Sequence, residues 1–284
     1  MVTTSSSATV LPRTAAEVLP PAEVGRLKET FAETGFLIFR DVVAKERLTA
    51  LASRVLEEFD RVRRSAQLFS GGGTISGHVN CFPGEEVRFI YQTLVERGIV
   101  QVIQALLGGG PLDPPYAGCN LNLPDSVPQH YHADGLFTRQ FIIANVGAVD
   151  TDLTNGAIDV LTGTHQKFYP YWRFVLERAD RRSTRVPLRQ GDVLVRSSNL
   201  WHRGMPNQTA SIRPMFSLTF AEDRGPRPPD PFRVNDGKIS FQPNWYRTNL
   251  IGRLRERTFV AAPLTYDAWR FARSLVGNKG YASW

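Results

Sequence analysis

Residues 118–220 break into short apolar runs, each closed by a turn signal, and this spacing constrains the fold more than any other feature of the chain. It predicts strands at 118–123, 131–134, 141–149, 157–161, 192–197 and 215–220, with turns at Asn155-Gly156, Gln190-Gly191 and Pro206-Asn207. A parallel α/β fold would need a helix between successive strands. Closely spaced runs after a helical layer instead predict a mainly β chain with added helices: a double-stranded β-helix, or jelly roll.

The helical layer comes first. Val24, Leu27 and Phe31 recur at helical spacing, Gly35 stops the helix, and residues 36–39 form a buried strand. Leu48, Leu51, Val55 and Phe59 line one face of a second helix, and a third is expected from Glu96 or earlier to Leu107. The Gly-rich segment 70–83 lacks the lysine and helix of a phosphate loop and reads as flexible. Residues 1–20 read as a flexible arm, and 21–284 as a single domain. Within it, the jelly-roll core spans about 112–222, and an extension from about 225, helical around 266–275, packs on the barrel.

Composition excludes several classes. The net charge of +7 is carried almost wholly by arginine, but the arginines are scattered and form no basic stripe interleaved with aromatics, so nucleic acid is not an expected partner. No apolar run is long enough to span a membrane, and the amino terminus has no signal core, so no membrane partner and a cytoplasmic location are expected. Cys81 and Cys119 are too few for a disulfide framework and read as free thiols.

The chemistry concentrates in Gln129-His130-Tyr131-His132-Ala133-Asp134. On an extended segment His132 and Asp134 face the same way, so an imidazole and a carboxylate can converge on one ion. One further histidine would complete a two-His, one-carboxylate facial triad, which leaves coordination positions open. His78, His165 and His202 are the candidates. His202 leads because it follows the 192–197 strand and precedes Arg213 by one turn, placing a guanidinium where it can hold a carboxylate.

This ordered set resembles the Fe(II)- and 2-oxoglutarate-dependent oxygenases, in particular their phytanoyl-CoA dioxygenase-like branch. The similarity runs from Val24 to Phe220. It includes the opening helix–strand–helix of residues 24–55, the 129–134 metal motif, Asn155-Gly156-Ala157 running into Gly163-Thr164-His165, and residues 202–213 with Asn207 and Arg213. The resemblance implies that His132, Asp134 and His202 ligate Fe(II), that Arg213 binds the distal carboxylate of 2-oxoglutarate, and that O2 takes a remaining position. It implies coupling of cosubstrate decarboxylation to oxidation of an unactivated C–H bond in a small molecule, with release of succinate and carbon dioxide. The related halogenases replace the carboxylate ligand with a small residue, so Asp134 favours hydroxylation, desaturation or ring closure.

Other candidates are secondary. Gln129, Asn120 and Thr164 are expected near the cosubstrate, and His78, Asn80, His130 and His165 near the substrate. The structural alternatives are a turn for Thr164, an exposed loop for His78, and core histidines for His130 and His165. The abundant arginine suits an anionic substrate. The competing assignment is a non-oxidative cupin-like isomerase or binding protein, which would bind metal without needing Arg213.

Overall fold

The computed structural model describes residues 9–10, 19–64, 76–223, 230–241, 250–251, 254, 257–258 and 263–276. Helix α1 (Pro21–Thr34) buries Val24, Leu27 and Phe31, and α2 (Lys45–Arg64) buries Leu48, Leu51, Val55 and Phe59. The helix expected to end at Leu107 is instead two, α3 (Arg88–Glu96) and α4 (Ile99–Leu106). Gly98 lies between them at φ +69°, a left-handed conformation that stops one helix and redirects the chain into the next.

Two sheets follow. The larger has the order β1-β2-β8-β5-β10-β4-β3-β11. Its members are β1 (Thr9–Val10), β2 (Phe36–Phe39), β3 (His78–Phe82), β4 (Tyr116–Asn122), β5 (Ile142–Gly147), β8 (Val193–Ser197), β10 (Arg213–Phe220) and β11 (Ser240–Phe241). The smaller has the order β7-β6-β9, from β6 (Ile158–Val160), β7 (Thr184–Val186) and β9 (His202–Arg203). Among the described strands every pair except β1–β2 is antiparallel, as in β10 against both β4 and β5. This is the jelly roll that the strand spacing predicts.

Period-two alternation divides the larger sheet into two faces. Leu37, Phe39, Val193, Val195, Phe216, Leu218 and Phe220 join the core formed with α1 and α2. Their alternates Phe36, Ile38, Leu194 and Met215 pack with Ile158 and Val160 of the smaller sheet. The functional cavity therefore opens between the sheets, and the helices close the outer face.

Two local expectations need correction. Residues 131–134 form no regular strand, only a single antiparallel bridge between His132 and His202. Residues 70–75 lie outside the described set, but His78–Phe82 is a strand paired with β4, not a flexible loop. Its alternation was disguised because the polar members His78 and Asn80 face a polar cavity rather than solvent. Most of the 1–20 arm also lies outside the described residues, although Thr9–Val10 pairs in parallel with β2.

At the carboxy end, α6 (Pro263–Leu275) packs on α5 (Tyr171–Leu176). Arg270 Nη2 of α6 donates to the Tyr131 carbonyl at 2.7 Å, which ties this helix to the back of the metal motif. No described helix is long and apolar enough to cross a membrane.

One turn glycine carries an exacting load. Gly156 has φ +90°, and a Cβ there would lie 2.3 Å from Asn122 Nδ2 and 2.6 Å from the Met205 carbonyl. Gly156→Ala is expected to destabilise the fold by about 2 kcal/mol. Thermal denaturation should show this as a Tm lower by roughly 4–8 °C; an unchanged Tm would refute the steric argument.

Candidate metal centre

The metal motif and β9 are joined by backbone. His132 N–H donates to the His202 carbonyl at 2.9 Å and His202 N–H returns the bond at 2.8 Å, while Asp134 N–H donates to the Ser198 carbonyl at 2.7 Å. Residues seventy positions apart are thereby brought face to face. Tyr131 and Ala133, the alternates of the metal motif, enter an apolar cluster with Leu161, Phe174 and Trp201. Burying those two aims His132 and Asp134 at the cavity.

Backbone contacts also fix both imidazole tautomers. His132 Nδ1 donates to the His130 carbonyl at 2.7 Å and His202 Nδ1 to the Leu200 carbonyl at 2.9 Å. Each ring therefore presents its Nε2 lone pair inward, the arrangement a metal ligand needs. His132 Nε2 lies 3.7 Å from Asp134 Oδ1, and His202 Nε2 lies 3.5 Å from Asp134 Oδ2. The three ligand atoms lie within 4.8 Å of one another. Burial lowers the pKa of both histidines, so they remain neutral donors. For Asp134 burial acts upward, but the Arg196 guanidinium, by its charge and its hydrogen bond, holds the carboxyl well below the usual range.

Arg213 reaches the same cavity from the first position of β10. Asn207 shapes the turn that delivers it, donating from Nδ2 to the Asn122 and Ser211 carbonyls and accepting from Thr209 N–H and Oγ1–H. Arg213 is 5% exposed. Among the described residues its Nε has no hydrogen-bond partner, and its one hydrogen bond is a long 3.5 Å contact from Nη2 to the Gly156 carbonyl. Burial lowers its pKa to about 10, the cost of a desolvated cation. A buried guanidinium this poorly satisfied is prepared for an anion.

The cavity, about 500 Å³, collects His132, Asp134, His202 and Arg213 together with Gln129, Asn120, His78 and Asn80. Gln129 Oε1 accepts from Gly204 N–H at 2.9 Å, and Asn120 Nδ2 donates to Asn80 Oδ1 at 2.9 Å. His78 is buried rather than exposed, with Nε2 donating to the Val127 carbonyl, and burial lowers its pKa to about 4.

Three sequence candidates lie elsewhere. His130 meets Asp267 of α6 at 3.1 Å and packs its ring on Tyr266, so its polar partner is the carboxy-terminal helix. His165 packs against Phe31 of α1. Thr164 Oγ1 donates to the Leu161 carbonyl and accepts from Trp201 N–H, holding a turn beside a separate hollow. In each case a nearer backbone or ring partner takes the side chain away from the cavity.

Sequence reading missed Arg196 and Asn145. Arg196 Nη1 donates to Asp134 Oδ2 at 2.7 Å and Nε to Asn145 Oδ1 at 3.0 Å, both within the cavity wall. The available signal was a lone arginine directly after the apolar run Val193-Leu194-Val195, since a charge on a fully buried strand needs a partner.

The sequence matches the phytanoyl-CoA dioxygenase (PhyH) family over residues 31–215. Solved structures with a similar fold include the epimerase SnoN in complex with Fe3+, alpha ketoglutarate and nogalamycin RO. Its TM-score is 0.53 at 19% identity, over 79% of this chain and 88% of that one. HygX from Streptomyces hygroscopicus, with nickel and 2-oxoglutarate bound, gives 0.54 at 18% identity over 72% and 88%. AviO1 from Streptomyces viridochromogenes Tue57 gives 0.55 at 19% identity over 75% and 100%. At such identities these neighbours establish the fold, whereas the family match spans His132, Asp134, His202 and Arg213 together. The chain belongs to the phytanoyl-CoA dioxygenase (PhyH) family.

Proposed function

We propose that this protein is an Fe(II)- and 2-oxoglutarate-dependent oxygenase that oxidises an unactivated C–H bond of a small molecule, with hydroxylation as the outcome. The observation that carries the reading is the placement of a neutral His-Asp-His donor set and an unsatisfied buried arginine in one cavity. The donors suit a first-row divalent metal, and Arg213 suits the far carboxylate of a dicarboxylate chelated to it. SnoN and HygX, with metal and 2-oxoglutarate bound on the same fold, support this choice of ligands.

In this reading His132, Asp134 and His202 would hold the metal, whose chemistry needs donors of this kind and positions left open to other ligands. Arg213 fixes the distal carboxylate by a charge-assisted pair. His78 is neutral at pH 7 and so places no second charge at that end. Ile158, Met215 and Phe141 present apolar surface to the cavity and exclude water around the reacting carbon. The metal and cosubstrate, when bound, supply dioxygen activation coupled to decarboxylation. The carboxylate at Asp134 favours hydroxylation, desaturation or ring closure over halogenation. SnoN and SnoK, of similar fold, are described as an epimerase and a carbocyclase, so hydroxylation is proposed from the residues of this site and not from the fold.

Anaerobic addition of Fe(II) and 2-oxoglutarate should produce a visible metal-to-cosubstrate charge-transfer band, and oxygen should then yield succinate. A metal-loaded protein with no band at saturating 2-oxoglutarate would instead favour a non-oxidative cupin-like metal protein.

A further inference from the structure

The two histidine-bearing segments are also tied together behind the cavity. His132 and His202 line the cavity, whereas Tyr131, just before the one, and Arg203, just after the other, turn to its outer side. There they meet on one carboxylate. Tyr131 Oη–H donates to Asp159 Oδ2 at 2.5 Å, and Arg203 Nε donates to the same oxygen at 3.1 Å. The Arg203 guanidinium also lies over the Tyr131 ring, 4.1 Å from its centroid. Asp159 is 2% exposed and occupies the middle of β6, opposite Arg203 of β9 on one side and Arg185 of β7 on the other.

The backbone alone holds the ligands loosely. His132 and His202 are joined by a single bridge of two hydrogen bonds, and β9 is only two residues long. One bridge sets the separation of two chains but lets them twist about it. A side-chain tie on the opposite face removes that freedom, and a metal site needs its donors held to a fraction of an ångström. Asp159 is also an expensive residue for the fold. Among the described residues its Oδ1 has no hydrogen-bond partner, and neither has Arg185 Nη2 on the adjacent strand, though both atoms are buried. An apolar residue would fill the position without a half-satisfied carboxylate, so packing does not account for the aspartate.

We infer that Asp159 is a positioning residue for the metal centre, which fixes the distance and angle between the His132 and His202 imidazoles by drawing Tyr131 and Arg203 together. It lies outside the cavity wall and acts through the two segments it joins. The inference rests on the metal site of the proposed oxygenase and holds for any substrate.

Tyr131→Phe deletes the hydroxyl and keeps the ring, so the aromatic packing and the Arg203 contact remain. Calorimetric titration of Co(II) into the metal-free protein should show affinity lower by about tenfold in this variant. The visible d–d absorption of bound Co(II), which reports ligand geometry, should change in position or intensity. Asp159→Asn should weaken binding at least as much. The double variant should be no weaker than Asp159→Asn, because both substitutions cut the same tie. Wild-type affinity and spectrum in Tyr131→Phe, whatever its Tm, would show a contact that serves the fold alone and would overturn the inference. Additive losses in the double variant would overturn it too. Should Asp159→Asn not fold, Tyr131→Phe decides by itself. Failure of the wild type to bind Co(II) would instead overturn the metal site, and the oxygenase reading with it.

Discussion

Asp134→Ala is expected to lower divalent-metal affinity by about 10²-fold or more and 2-oxoglutarate-coupled turnover on the order of 10³-fold. Two effects act together. The variant removes one of three ligands, and the remaining imidazoles, though fixed by their carbonyl partners, carry no charge to offset a divalent ion. It also removes the anion that Arg196 holds at 2.7 Å. Leaving that buried guanidinium with only Asn145 should cost about 2 kcal/mol of metal-free stability, less than for a fully enclosed pair because Asp134 keeps a face toward the cavity. Asp134→Asn separates the effects. An amide oxygen can still accept from Arg196, so stability should largely recover while metal affinity stays low. Calorimetric metal titration alongside thermal denaturation reads both quantities, and wild-type metal affinity in Asp134→Ala would remove Asp134 from the site.

How much of this was visible in the sequence depends on where each signal has its partner. Helices α1 and α2 were legible because their apolar stripes are local and face one core. His132, Asp134, His202 and Arg213 were legible because their order and spacing resemble a family pattern, and the fold brings them to one cavity. Strand β3 was hidden by a Gly-rich approach and by an inward face that is polar, which inverts the usual meaning of alternation. The break at Gly98 was hidden because an interior glycine and a terminating glycine look alike until φ is known. His130 shares its parity with His132, yet it is drawn to Asp267, a residue 137 positions away that no local pattern could supply. Arg196 announced itself only as a charge on a buried strand; that it must be paired was readable, but that its partner is Asp134 required the β5–β8 register and the 134–198 backbone bond.

Arg213→Met should raise the KM for 2-oxoglutarate by about 10²-fold or more while leaving metal affinity nearly unchanged, since the residue is proposed to receive the far end of the cosubstrate and not the ion. The same change should stabilise the unliganded protein. In the wild type this guanidinium is desolvated, its Nε has no acceptor and Nη2 has only a 3.5 Å bond to Gly156. Burial has already lowered its pKa to about 10, which means the folded state disfavours the charged form. Methionine fills a similar volume without that penalty, so a gain of about 1–3 kcal/mol is expected. Added 2-oxoglutarate with metal should reverse the ranking, because a ligand that binds only the folded protein stabilises it by an amount that grows with the logarithm of its concentration over its Kd. Relative to the metal-loaded proteins, 2-oxoglutarate would then raise the Tm of the wild type and leave that of the variant nearly unchanged. A cavity built for structure alone would show the opposite pattern, with Arg213→Met less stable in every condition; that result would sink the cosubstrate role. A more stable but unresponsive variant would identify Arg213 as a residue kept at a cost to the fold for the carboxylate it receives.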